Sequence, residues 1–74
     1  MRRFHDGDGR AWDAVVGRES WGTLFAIFVP VESGPAVRQT PLPAAAVDEA
    51  ASDLDALDDG ALRSLLERSV PKPL

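Results

Sequence analysis

The sequence predicts an α+β domain: a small antiparallel sheet of three to four strands followed by two short C-terminal helices packed on one face, in the order ββββαα. Three observations carry that expectation. A glycine-rich turn separates two extended stretches near the start, a dense β-favouring run occupies the middle, and the apolar spacing changes from about two to about 3.6 beyond residue 43.

Phe4-His5-Asp6 and Arg10-Ala11-Trp12-Asp13-Ala14-Val15-Val16 flank Gly7-Asp8-Gly9, a three-residue connector with glycine available for positive φ, which predicts a hairpin. In the second strand Trp12, Ala14 and Val16 share one side and Ala11, Asp13 and Val15 the other. The Trp12 side is expected to face inward. Gly17-Arg18-Glu19-Ser20-Trp21-Gly22 follows and reads as a turn with a bulge, its terminal glycines marking special backbone geometry.

Thr23-Leu24-Phe25-Ala26-Ile27-Phe28-Val29 does not alternate: Leu24, Ala26 and Phe28 project one way, and Phe25, Ile27 and Val29 the other. The strand is therefore apolar on both faces, and two short helices can shelter only one. Which set stays uncovered does not follow from the pattern. Pro30 lacks an N–H, so the strand either ends near Val29 or has its last residues at an unpaired edge. Glu32-Ser33-Gly34-Pro35 forms the next turn, and Ala36-Val37-Arg38-Gln39-Thr40, ended by Pro41, makes a polar fourth strand expected at the sheet edge.

Past the stiff Pro41-Leu42-Pro43 connector, Val47, Ala50, Ala51, Leu54 and Leu57 fall on one helical stripe, with Asp48 and Glu49 early, where they favour the helix dipole. No good N-cap precedes this helix. Asp58 or Asp59 can cap a second one, whose stripe is Leu62, Leu65 and Leu66, extended to Val70. Asp59–Arg63 and Arg63–Glu67 have the spacing of helical ion pairs, and Pro71 and Pro73 stop the helix.

With 74 residues the chain supports one domain, 1–74, divided into a sheet half (1–43), a two-helix half (44–70) and a tail (71–74). It has no cysteine, so neither disulfides nor thiolate metal sites can brace a small core; oligomerisation is the support left open. The composition, 45% hydrophobic and 27% charged, is that of a folding chain, and its use of Ala, Arg, Asp, Leu and Val fits a GC-rich bacterial genome. The net charge of −4 lies wholly in residues 44–74, where three basic residues face seven acids; residues 1–43 balance five arginines with five acids. No secretion signal is visible and the longest apolar run, Leu24 to Val31, is too short for a bilayer, so no membrane association and a cytoplasmic location are expected.

Asp6-Gly7-Asp8-Gly9 has the start of a calcium loop, but the twelfth position, where such a loop needs a bidentate Glu, is Gly17. A hairpin turn explains it better, and no metal is expected. His5 with Ser20 and Asp6 or Asp13 supplies the residue types of an acyl-transfer triad without any glycine-flanked nucleophile, so neither a catalytic residue nor a cofactor is expected.

Arg2, Arg3, Arg10, Arg18 and Arg38, interleaved with Trp12 and Trp21, are the side chains a nucleic-acid interface would use, and that is the alternative reading. The preferred one is a small non-catalytic protein-interaction module, self-associating as a homodimer through an apolar sheet face. Its expected partner-binding residues are Arg18, Glu19 and Trp21 of the glycine-bounded loop and Phe25, Ile27 and Val29 of the two-faced strand, since a small monomer seldom leaves a broad apolar patch in water.

Overall fold

The computed structural model describes residues 2–18, 22–44 and 46–72. Strands β1 (Arg2–His5), β2 (Ala11–Arg18), β3 (Leu24–Pro30), β4 (Arg38–Pro41) and β5 (Val70–Pro71) form one antiparallel sheet in chain order. Helices α1 (Val47–Ala56) and α2 (Asp59–Arg68) follow β4 in the chain and precede β5. The α+β class is as the sequence predicts, with one strand more.

The β1–β2 hairpin forms because Asp6 organises it. Gly9 N–H donates to Asp6 O at 3.1 Å and Asp6 N–H to Arg10 O at 2.9 Å, while Gly9 adopts φ +83°, the left-handed conformation that ends a three-residue hairpin connection. The Asp6 carboxylate accepts the N–H groups of Asp8 and Arg10 on Oδ1, each at 2.9 Å, and the Trp12 indole N–H on Oδ2 at 2.8 Å. One side chain thus fixes both the turn and the ring that leads into the core. The indole hydrogen bond, aided by those from the backbone, holds the Asp6 carboxyl below its ordinary pKa against the opposing effect of desolvation.

Pairing of Ala14 with Phe28 and Val16 with Ala26 puts the even-numbered residues of β2 and β3 on one face. There Phe4, Trp12, Ala14, Ala26 and Phe28 meet Leu54 of α1 and Leu62 and Leu66 of α2. The Phe4 and Phe28 rings stand edge to face, 5.8 Å apart at 76°. Val47 is 42% exposed, so the α1 stripe effectively begins at Ala50. Leu57 lies beyond the helix as its C-cap and packs against the core from there.

As expected, α1 starts at Ala46 without a side-chain cap, whereas Asp58 Oδ1 accepts the Ala61 N–H at 2.8 Å and caps α2. Replacing Asp58 with alanine is expected to lower stability by about 1 kcal/mol, measurable as a shift of the urea midpoint with an unchanged slope.

Three sequence expectations are corrected. The helical ion pairs do not form: Asp59 binds Arg2 of β1 at 2.7 Å, and Arg63 Nε donates to His5 O at 2.8 Å, because β1 lies beside α2 and offers both partners. Val70 is not on the helix, which ends at Arg68; it pairs with Gln39 and is 57% exposed. Consequently β4 is not the sheet edge, since β5 covers it through Arg38↔Pro71 and Gln39↔Val70. Arg38 stabilises this junction by donating Nε to Ser69 Oγ at 2.8 Å and Nη2 to Ser69 O, a cation at the negative end of α2.

Pro30 sits within β3, paired with Trp12. Leu24 O accepts from the β4 side and Val31 N–H donates to Ala11 O on the β2 side, so position 30 faces the β4 side, where the ladder has already stopped at Phe28↔Arg38. The missing N–H therefore costs no ladder bond.

Candidate functional site

The same register that gathers the core places the other half of each strand on the opposite face. Val15, Ile27, Gln39 and Val70 are successive cross-strand partners and form a row over β2, β3, β4 and β5. Asp13 and Val29 flank that row on one side, and Gly17, Phe25 and Pro41 on the other. Both helices lie on the Phe28 side, and no described element crosses this second face. Val29 and Val70 are 39% and 57% exposed, while Val15, Phe25 and Ile27 are half-buried.

Gly17 has a steric role here, in place of the unusual backbone conformation its turn-like context suggested. A Cβ at this position would fall on Ile27 Cδ1, so the absence of a side chain makes room for Ile27 to lie against β2. The one described ion pair on this face stands at its corner: Arg3 Nε donates to Asp13 Oδ1 at 2.8 Å and Nη2 to Oδ2 at 3.1 Å. This pairing draws the Asp13 carboxyl below, and the Arg3 guanidinium above, their ordinary pKa values.

The sheet edges are closed against further strands. Register puts the outward carbonyls of β1 at Arg3 and His5, and arginines reach both: Arg2 Nη1 donates to Arg3 O at 2.6 Å and Arg63 Nε to His5 O. At the other edge β5 is two residues long and one of them is proline. Short strands, charged side chains and proline are the devices by which natural sheets avoid edge pairing.

Of the residues expected to bind a partner, Phe25, Ile27 and Val29 come together on the open face. Arg18 does not join them: it pairs with Leu24 and so belongs to the helix side, exposed at the end of β2. Glu19 and Trp21 lie outside the described residues. Val15, Gln39 and Val70 complete the face and were not singled out. Val15 was readable from its alternation with Trp12, whereas Gln39 and Val70 join only through the β3–β4–β5 register.

The residues weighed for other chemistry are largely engaged elsewhere. Arg2, Arg3 and Arg38 bond to Asp59, Asp13 and Ser69, leaving Arg10 and Arg18 without side-chain partners among the described residues. Asp6 and Asp13, proposed companions of His5, bind Trp12 and Arg3. Among the described residues no three His, Asp or Glu side chains are grouped to hold a metal, and no helix is long and apolar enough to cross a membrane. Comparison with family models, curated proteins and solved structures finds no match for this chain.

Proposed function

We propose that the chain is a non-catalytic interaction module that docks face to face with a second copy of itself through the open side of the sheet. The observation that carries this reading is the set of apolar side chains Val15, Phe25, Ile27, Val29 and Val70 on the sheet face opposite the helices, with Val29 and Val70 exposed. Val29 and Val70 on this face are 39% and 57% exposed, apolar surface that a docked partner would cover.

Charge fits as well. Arg3 and Asp13 put both signs on one corner of the face, so a two-fold apposition can exchange their partners between copies instead of opposing like charges. The arginine-capped and proline-containing edges favour stacking over sheet extension. Nucleic-acid binding draws less support, since three of the five sheet-half arginines already hold partners within the chain.

Sedimentation at micromolar concentration is expected to give a dimer. Val70→Asp, which changes an exposed side chain in the row, is expected to weaken association at least about tenfold by setting two carboxylates in the contact, with the thermal midpoint of the dilute monomer unmoved. A clean monomer that binds no apolar dye, or a dimer indifferent to Val70→Asp, rejects the reading.

A further inference from the structure

On the helix side, away from the open face, a cavity of about 210 Å3 lies at the seam between α1, α2 and the connector that leaves β4. Ala50 and Leu54 of α1, Leu57 at its C-cap and Leu65 of α2 line it together with the connector residues 42–44. This shape is held without a ligand. Leu42 N–H donates to Leu24 O at 2.8 Å and pins the connector to β3, Pro41 and Pro43 fix φ on either side of Leu42, and Leu42, Leu57 and Leu65 pack against the core. An apolar cavity of roughly 150 Å3 is already enough to take benzene.

One residue of the lining is charged. Asp53 falls with Ala50, Leu54 and Leu57 on a single helical stripe, so its carboxylate stands on the cavity side of α1, at an exposed position. It has no ion-pair partner among the described residues, in contrast to Asp13 and Asp59. We propose that the cavity binds a small organic cation, an ammonium group on a short aromatic or branched aliphatic body. The body enters the space between the leucines, where burial of apolar surface is favourable, and the ammonium donates to the Asp53 carboxylate. No other polar side chain on the lining has to be satisfied by the ligand. An anionic ligand is disfavoured by Asp53 itself and by the charge of −4 on residues 44–74. The site uses none of the residues of the open face, so it stands or falls independently of self-association.

Amide chemical-shift mapping with phenethylammonium chloride tests the assignment, with phenethyl alcohol as the neutral analogue of the same shape. The cation is expected to bind saturably in the millimolar range, with the shifted amides concentrated at residues 42–44, 50–57 and 65. The alcohol is expected to shift the same amides with at least about threefold weaker affinity, and Asp53→Asn to bring the cation down to the affinity of the alcohol. Asp55→Asn removes the same charge from an exposed position of α1 that does not line the cavity, and is expected to leave the affinity unchanged. Thermal melts of both variants should match wild type, since each changes an exposed side chain. Shifts that do not saturate, or that centre elsewhere, overturn the site. Equal affinities for cation and alcohol, or equal losses in Asp53→Asn and Asp55→Asn, overturn the pairing with Asp53 and with it the ligand class.

Discussion

Truncation of Phe28 to alanine is expected to cost about 3–5 kcal/mol and to leave most of the chain unfolded at 25 °C. The ring is fully buried, stands edge to face with Phe4, and lies in the cluster that joins β2 and β3 to α1 and α2. A chain of 74 residues without disulfides holds only a few kcal/mol in total, so the loss is comparable to the whole. Circular dichroism should show the cooperative thermal transition gone or displaced below room temperature. A folded variant with nearly the wild-type melt would remove Phe28 from the core.

Asp6→Ala is expected to have the second largest effect, about 2–3 kcal/mol. Most of it comes from leaving the nearly buried Trp12 indole N–H without an acceptor, and the remainder from the turn N–H groups of Asp8 and Arg10, which water can reach. The same contact predicts an acid limb. The folded-state pKa of Asp6 is depressed, so its contribution is present above the unfolded value near 3.8 and disappears as pH falls through the folded value. Asp6→Asn, which cannot ionise, is therefore expected to lose less stability than wild type between about pH 5 and pH 2. Parallel acid profiles in urea melts would show that the carboxylate does not contribute.

The parts of the fold legible in the sequence were those set by local chemistry. Asp6-Gly7-Asp8-Gly9 announced its hairpin, Asp58 its cap, and Trp12 its inward side, because turn geometry, capping and alternation act within a few residues. The open face was legible only as a surplus: Phe25, Ile27 and Val29 opposed Leu24, Ala26 and Phe28, and nothing in a single strand says which side the helices choose. That choice follows from the partners, since Trp12 and Phe4 align with Phe28 while Asp13 and Arg3 align with Val29. Val70 was misplaced because a valine four residues after Leu66 continues a helical stripe as well as it begins a strand. Its true setting depends on Arg38 gripping Ser69, a contact 31 positions apart that no periodicity reports.

The two arginines linking β1 to α2 also bear on how the chain reaches its native state. Arg2 meets Asp59 and Arg63 meets the carbonyl of His5, contacts separated by 57 and 58 positions. The opening hairpin cannot acquire these ties until the second helix exists, so they are long-range contacts that form only with the helical layer in place. Trimming α2 would therefore take two anchors from the very first strand of the sheet, at the far end of the sequence from the cut.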